Sequence, residues 1–222
     1  VIPIANTPDG FNINHECGST APGQPQKAVL AAQADLGVAL DGDGDRVVLV
    51  DHRGEVVDGD QMLYIIASSR RASGRLHGGV VGTLMSNLGL EQALAAQQVP
   101  FRRANVGDRY VMAMLQQEGW EVGGETSGHL LCLDKSTTGD GIVAALEVLA
   151  VVRQTGKSLA DLKAGMQIFP QTMINVRMSK RFDLKASAPV QKALGEVEKE
   201  LAANGRVVLR ASGTEPVVRV MI

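Results

Sequence analysis

The sequence predicts an α/β protein with a small α+β domain at its C-terminal end. Short runs of β-branched residues alternate with longer stretches of helical periodicity, which is typical of layered α/β folds. Hydrophobic residues make up 45% of the chain and charged residues 21%, so the composition excludes disordered and fibrous proteins. The length of 222 residues allows one to two domains at about 150 residues each.

Strands and helices follow one another through the first part of the chain. An acidic stretch separates two strand candidates at residues 36–40 and 47–50, and Asp58 or Asp60 is a candidate cap for a helix that begins near Gln61. Further strands are predicted at 78–84 and 100–106, and further helices at 89–98, 110–118 and 141–154. This order predicts a parallel sheet with right-handed crossovers.

The pattern changes after residue 169. Three short β-branched runs, at residues 173–178, 207–210 and 217–222, read as strands, and residues 189–203 read as an amphipathic helix. This mixture predicts a small α+β domain, with a hinge within residues 165–171.

Charge and cysteine content exclude several classes of protein. The formal net charge of -2 gives no basic surface for nucleic acid. The longest apolar run, around residues 143–152, is broken by Glu147 and is far shorter than the roughly 18 residues of a membrane span. Two cysteines, Cys17 and Cys132, do not make a disulfide framework, which indicates a reduced, cytoplasmic location.

The first polar loop, residues 41–46, lies between the first two strand candidates and carries three aspartates at alternate positions. The glycines between them let the backbone curl, so the carboxylates gather on one side. Gathered carboxylates repel one another unless a hard cation neutralises them, and Mg²⁺ takes few carboxylates together with a phosphate oxygen. We predict that Asp41, Asp43 and Asp45 bind Mg²⁺ and that Arg46 lies beside it, placed to clamp a phosphoryl group.

An EF-hand also opens with aspartates at alternate positions, but it needs Gly at its sixth position and an acid at its twelfth. Those positions hold Arg46 and His52 here, which excludes an EF-hand. A solvated hairpin turn remains an alternative.

The second polar loop, residues 123–129, is rich in glycine and lies between two short apolar stretches. Glu125, Ser127 and His129 place an acid, a hydroxyl and an imidazole on this frame. A carboxylate accepts hydrogen bonds from two neighbouring hydroxyls of a polyol, and the glycines allow close approach of the backbone. The loop therefore predicts polyol binding, with a plain hairpin turn and a structural role for His129 as alternatives.

The third polar loop follows the strand candidate at 207–210. Hydroxyls and successive backbone N–H groups at a glycine turn form an anion-binding nest, and an arginine adds a bidentate fork. We predict a phosphate site here, with a bare polar turn as the alternative. Its residues are Arg210, Ser212, Gly213, Thr214 and, on the next strand, Arg219.

A weaker candidate is the strand-to-helix junction at residues 106–110. It carries Asp108 and Arg109 where ligands of open α/β sheets bind. A helix N-cap is an equally good account of Asp108.

Together the loops resemble those of the α-D-phosphohexomutase family. Residues 41–46 resemble that family's metal loop, residues 124–129 its sugar-binding loop and residues 210–216 its phosphate-binding loop. The resemblance runs from end to end of the chain. Four further segments resemble the bacterial phosphoglucosamine mutases within the family: residues 8–14, 83–87, 106–111 and 212–216.

The resemblance implies an isomerase that interconverts glucosamine 6-phosphate and glucosamine 1-phosphate through a phosphoserine and a bisphosphate intermediate, on the way to UDP-N-acetylglucosamine. The three aspartates would hold Mg²⁺ against the phosphoserine, Glu125 and Ser127 would grip the sugar, and the third loop with Arg219 would bind the non-reacting phosphate. Arg46 and His129 would lie near the reacting groups. Thr126 stands at a position that varies in the family, so no functional effect is expected from it.

The resemblance also implies a domain organisation. Residues 1–54 would be part of a second α/β domain with the metal loop, and residues 55–168 a complete third domain of the phosphohexomutase type with a mixed sheet. Residues 169–222 would be a truncated α+β phosphate-binding domain. The family's serine lies in a first domain, in an Ala-Ser-His-Asn-like loop that these residues do not contain. The expectation is a fragment that is inactive alone and that belongs to a homodimeric enzyme.

Two alternatives stay open. A phosphomannomutase or phosphoglucomutase shares the architecture, and the three loops do not distinguish an amino group at C2 of the sugar. A non-catalytic phosphosugar-binding remnant would carry the same loops.

Overall fold

The computed structural model describes residues 1–178, 183–202, 205–211 and 216–222. These residues divide into two compact units, Val1–Gln167 and Ile168–Ile222. Helices and mixed sheets alternate along the chain, which confirms the predicted α/β class. The further division at residue 54 stays a prediction.

The first unit opens with an antiparallel sheet of strands β1 (Leu36–Leu40), β2 (Val47–Asp51) and β3 (Val56–Val57). Helix α1 (Gly23–Ala32) packs against β1 and β2. Strands β1 and β2 form a hairpin in which Leu40 pairs with Val47, so residues 41–46 are its connecting loop. The predicted metal loop therefore projects from the end of this hairpin.

Helix α2 (Gly59–Ala72) is the buried centre of the first unit. Residues 59–67 and Arg70 are all buried. Asp58 caps the helix: its carboxylate accepts from the Gln61 N–H at 2.9 Å, and the Gln61 side chain accepts from the Asp58 N–H at 3.3 Å. Of the two predicted caps, Asp58 is confirmed, whereas Asp60 lies inside the first turn with no exposed surface.

A four-stranded sheet lies next to α2, with the order β5 (Phe101–Ala104), β4 (Val80–Thr83), β6 (Val122–Gly124), β7 (Leu130–Cys132). Strands β5, β4 and β6 are parallel, which confirms the parallel arrangement predicted for the strands at 78–84 and 100–106. The predicted strands at 36–40 and 47–50 do not join this sheet, because they pair with each other as an antiparallel hairpin. Strand β7 is antiparallel to β6 because the connection between them is too short for a crossover helix.

Helices cover both faces of this sheet. Successive residues of a strand point to opposite faces; accordingly, Val80 belongs to the core formed with α2, and Val81 to a second core under helix α4 (Asp108–Glu118). Helices α3 (Leu88–Ala96) and α5 (Gly141–Thr155) pack against α2. The carboxyl ends of β4 and β5 lead into α3 and α4, which places the intervening loops at one edge.

Buried ion pairs tie these elements together. Arg70, on α2, donates to Asp134 at 2.9 Å and to Glu147 of α5 at 2.6 Å. Lys163, on helix α6 (Leu159–Lys163), lies 2.8 Å from the carboxylate of Asp51, at the end of β2. Helices α1 and α6 and the short strand β3 were not predicted from the sequence.

The second unit contains β8 (Met173–Arg177), helix α7 (Ala188–Leu201), β9 (Val208–Ala211) and β10 (Val217–Met221). The strand order is β8-β10-β9, with both pairs antiparallel. This arrangement agrees with the predicted α+β tail. Across the described parts of both units, no helix is long and apolar enough to cross a membrane.

Candidate functional site

The first polar loop, residues 41–46 and named the metal loop below for its predicted role, is a tight turn that gathers its three aspartates. The Asp41 N–H donates to the Arg46 carbonyl at 3.2 Å, and the Arg46 N–H donates back to Oδ1 of Asp41 at 3.1 Å. One oxygen from each of Asp41, Asp43 and Asp45 lies within 4.8 Å of the others. This spacing fits a single hard cation held by carboxylate oxygens.

Burial and the close approach of these acids shift the pKa values of Asp41 and Asp45. Burial and the nearby Asp41 carboxyl raise the pKa of Asp45 above its ordinary value. Burial also opposes the charge of Asp41, but the Arg46 N–H and guanidinium outweigh it, so the pKa of Asp41 is lowered. The Arg46 Nε lies 3.9 Å from both carboxylates. One guanidinium does not balance the charge of three carboxylates, so a bound cation would offset what remains.

The first turn of α5 supports the metal loop. The Gly141 N–H donates to the Gly44 carbonyl at 2.9 Å, and Asp140 caps the helix by accepting from Ile142 and Val143. A Cβ at Gly141 would lie 2.8 Å from the Arg46 carbonyl, so the approach requires glycine. The positive end of the helix dipole thus lies beside the acidic loop.

The second polar loop, named the sugar loop below for its predicted role, makes a hairpin turn at residues 125–129 between β6 and β7. The Glu125 N–H donates to the His129 carbonyl at 2.9 Å, and the Gly128 N–H donates to the Glu125 carbonyl at 3.0 Å. Gly128 has φ of +95°, and a Cβ there would lie 2.0 Å from the Val47 carbonyl. Both the turn and the close contact therefore require glycine.

The structure brings the metal loop and the sugar loop together. Nδ1 of His129 lies 2.9 Å from Oδ2 of Asp45, and the Val47 N–H donates to the Gly128 carbonyl at 3.1 Å. His129 is 5% exposed, with its ring over Gly139, where a Cβ would collide with it. The three aspartates, the His129 imidazole and the sugar loop therefore lie in one site.

The strand-to-helix junction before α4 joins the same site. The Gly107 N–H donates to Oε1 of Glu125 at 2.9 Å. This bond fixes the Glu125 side chain across the loops and uses one of its two carboxylate oxygens. Asp108 begins α4, and Arg109 stacks on the ring of Tyr110 with its guanidinium 4.5 Å from the ring centre.

Two residues of this site escaped the sequence reasoning. Asp60 was considered only as a helix cap, and Thr126 was given no role. The Thr126 hydroxyl donates to Oδ2 of Asp60 at 2.8 Å, and these residues are 66 positions apart in the chain. The sequence signal for this contact is Asp60 itself, a second aspartate at the start of α2. A local sequence pattern does not show which distant residue such an aspartate contacts.

The predicted phosphate loop is described only in part. Arg210 lies on β9 and Arg219 on β10, and the two are direct cross-strand partners. Direct cross-strand partners lie on the same face of a sheet, so the two guanidinium groups can approach one anion. Ser212, Gly213 and Thr214 lie outside the described residues.

Two domain models of one protein family match the sequence. Residues 58–169 match "Phosphoglucomutase/phosphomannomutase, alpha/beta/alpha domain III". Residues 173–222 match the C-terminal domain of the same family.

Curated relatives are similar over the whole chain. A phosphoglucosamine mutase of Legionella pneumophila is 57% identical over 222 residues, which is 100% of this chain and 49% of the relative. One from Methylococcus capsulatus is 58% identical over 222 residues, or 50% of its own length. The chain therefore spans about half the length of the curated relatives it matches.

Solved structures show the same fold at low identity. An N-acetylphosphoglucosamine mutase of Aspergillus fumigatus, solved with GlcNAc-6P and magnesium, matches with a TM-score of 0.74 and 22% identity over 94% of this chain and 53% of that one. A phosphoglucomutase/phosphomannomutase family protein of Burkholderia thailandensis matches with a TM-score of 0.68 and 20% identity, covering 91% of this chain and 45% of its own.

Proposed function

The chain belongs to the phosphoglucomutase/phosphomannomutase family, and from that membership we propose that it supplies the metal, sugar and phosphate loops of a phosphoglucosamine mutase. That isomerase interconverts glucosamine 6-phosphate and glucosamine 1-phosphate through a phosphoserine and a bisphosphate intermediate. The observation that carries the proposal is the contact between the acidic loop and the sugar loop, made by His129 and Asp45 at 2.9 Å. Identity of 57% to a phosphoglucosamine mutase over the whole chain supports the substrate.

The three aspartates fit Mg²⁺. Their oxygens converge within 4.8 Å, burial and the nearby Asp41 carboxyl raise the pKa of Asp45, and oxygen donors are the ligands that Mg²⁺ prefers. When bound, the ion would neutralise charge on a transferring phosphoryl group. Arg46, 3.9 Å from two of the acids, would bind an oxygen of the same phosphoryl group.

The sugar loop would hold the substrate in either of its two orientations. Oε1 of Glu125 is engaged by the Gly107 N–H, which leaves the other carboxylate oxygen to accept from sugar hydroxyls. Ser127 is exposed, and its hydroxyl both donates and accepts. These groups can bind the sugar hydroxyls whichever end of the sugar carries the reacting phosphate. A bisphosphate intermediate that reorients must be bound in both of these orientations.

His129 would hold Asp45 in place beside the reacting groups. Because an ionised carboxylate only accepts, Nδ1 of His129 donates to Asp45 when that acid is charged. This bond fixes both side chains, and the imidazole, which is buried against Gly139, would orient the Asp45 carboxylate within the metal loop.

The paired arginines of the second unit would bind the non-reacting phosphate. Arg210 and Arg219 are opposite each other across β9 and β10, and a phosphate between them would accept hydrogen bonds from both guanidinium groups. Ser212, Gly213 and Thr214 are proposed to complete this phosphate site.

We propose that the 222 residues by themselves bind a phosphosugar without sustained turnover. The phosphoserine loop of the family has no counterpart among them. A cytoplasmic location stays a prediction from the cysteine content, and a homodimeric enzyme stays a prediction from the resemblance.

Turnover tests the proposal. The protein as its gene encodes it is incubated with glucosamine 6-phosphate, glucose 1,6-bisphosphate and Mg²⁺, and glucosamine 1-phosphate is measured. We expect kcat/KM for glucosamine 6-phosphate to exceed that for mannose 6-phosphate and glucose 6-phosphate by about tenfold or more, and Asp43→Asn to lower kcat/KM by about a hundredfold.

Two results would count against the proposal. A preference for mannose or glucose phosphate would assign the chain to a phosphomannomutase or phosphoglucomutase. Binding of the sugar phosphates without turnover by the encoded protein would favour a non-catalytic binding protein. The 222-residue chain, assayed in parallel, is expected to give no sustained product.

A further inference from the structure

The carboxylate of Asp60 lies beneath the sugar loop. Asp60 is the second residue of α2 and has no exposed surface. Its Oδ2 accepts from the Asn87 N–H at 2.7 Å, at the start of α3, and from the Thr126 hydroxyl at 2.8 Å. One buried oxygen thus links two helix ends to the sugar loop.

The backbone of the sugar loop lies directly on the first turn of α2. The Gly59 N–H donates to the Thr126 carbonyl at 3.0 Å. A Cβ at Gly59 would lie 2.0 Å from the Glu125 carbonyl and 2.8 Å from the Gly128 nitrogen. Gly59 therefore supports the loop through its backbone, and Asp60 supports it through the Thr126 side chain.

Helix capping does not explain Asp60. Asp58 already caps α2 with a complete capping box. Burial raises the pKa of Asp60 to about 6, and its Oδ1 is buried without a hydrogen-bond partner among the described residues. A buried carboxylate with an unsatisfied oxygen costs stability, so its presence here points to a role other than stability.

We propose that Asp60 is a positioning residue for ligand binding, which acts through Thr126 to fix the sugar loop. Thr126 is half-buried and turned toward Asp60, while its neighbour Ser127 is exposed. With the centre of the loop fixed, Glu125 and Ser127 keep a constant spacing toward the sugar. Asp60 itself does not touch the sugar. This inference rests on the proposed function for the identity of the ligand.

The test uses Thr126→Val, which removes the hydroxyl and keeps the shape, in the protein as its gene encodes it. Hydrogen exchange measured on a peptide spanning residues 124–129 is expected to speed up by about tenfold or more, since a hydrogen bond to a charged group is lost. Calorimetry with glucosamine 6-phosphate is expected to show about tenfold weaker binding. Thr126→Ser, which restores the hydroxyl, is expected to restore both values.

Thr155→Val is the matched control, because the Thr155 hydroxyl makes local hydrogen bonds, to the Val151 carbonyl and from the Lys157 N–H, at the end of α5 away from the sugar loop. It should change neither measurement. Unchanged exchange in Thr126→Val would overturn the contact itself, and faster exchange with unchanged sugar binding would overturn its role in ligand binding. If the wild-type protein binds no phosphohexose, the proposed function fails, while the exchange result still decides whether Asp60 fixes the loop.

Discussion

Two fully buried aspartates of the first unit experience opposite electrostatics. Asp51 pairs with Lys163 at 2.8 Å and accepts from the N–H groups of Arg53 and Glu55. Burial opposes its charge, but these partners outweigh burial and lower its pKa. Asp60 accepts from the Asn87 N–H and from the Thr126 hydroxyl, but it has no cation partner of this kind among the described residues, and burial raises its pKa to about 6. The difference between the two acids is therefore the cation partner. Lys163 favours the charged form of Asp51, whereas burial disfavours the charged form of Asp60.

Asp60→Asn is expected to change how stability depends on pH. The folded-state pKa of Asp60 is about 6, above the ordinary 3.8, so the folded protein binds this proton more firmly than the unfolded chain. Its contribution therefore makes the unfolding free energy fall as pH rises from about 4 to about 6, by up to about 3 kcal/mol. Asp60→Asn should remove that fall, as measured by urea denaturation across this range.

The difference between wild type and variant isolates Asp60 from its neighbours. Burial also raises the pKa of Asp58, which lies beside it, and Lys163 is the nearby cation. The Asp58 contribution is present in both proteins and cancels to first order. Parallel pH curves for the two proteins would contradict the assigned pKa.

Among the elements, α2 connects the fold to the site. Its residues 59–67 fill the core, and its first turn lies against the sugar loop at Gly59 and Asp60. Periodicity could not reveal this arrangement, because a helix buried on all sides shows no single apolar face. The helix itself was predictable from its capping residue and its apolar content.

Gly59→Ala is expected to destabilise the first unit by about 1–3 kcal/mol and to displace the sugar loop. The added Cβ would meet backbone atoms of Glu125 at 2.0 Å, and backbone cannot rotate away as a side chain can. Chemical denaturation measures the loss, and binding of glucosamine 6-phosphate measures the displacement.

Gly23→Ala is the control for this prediction. Gly23 is the first residue of α1, and a Cβ there meets nothing within 4 Å. It should leave stability unchanged or raise it slightly. Equal effects of the two substitutions would show that the loop does not press on α2.

At the scale of the whole molecule, the two units differ in how much they bury. Helix α2 is almost wholly buried, whereas no described residue of α7 is buried and β8 is exposed throughout. Amide protection follows burial and local packing. The second unit therefore depends chiefly on its three-stranded sheet.

Amides of α7 are expected to exchange at least about a hundredfold faster than those of α2. Hydrogen exchange on the 222-residue chain, followed peptide by peptide, measures the ratio. Comparable protection of the two helices would mean that α7 is stabilised by contacts other than those described.

The sequence by itself determined the α/β class, most elements and the three polar loops, because periodicity, capping and turn chemistry depend on residues close together in the chain. It did not place α1 or α6, and it could not bring the loops together. Tertiary structure alone decided that His129 contacts Asp45 across 84 positions and that Arg210 is opposite Arg219. It also decided that Thr126 rests on Asp60 across 66 positions. These long-range contacts depend on how the sheets and helices pack, which cannot be predicted from residues close together in the chain.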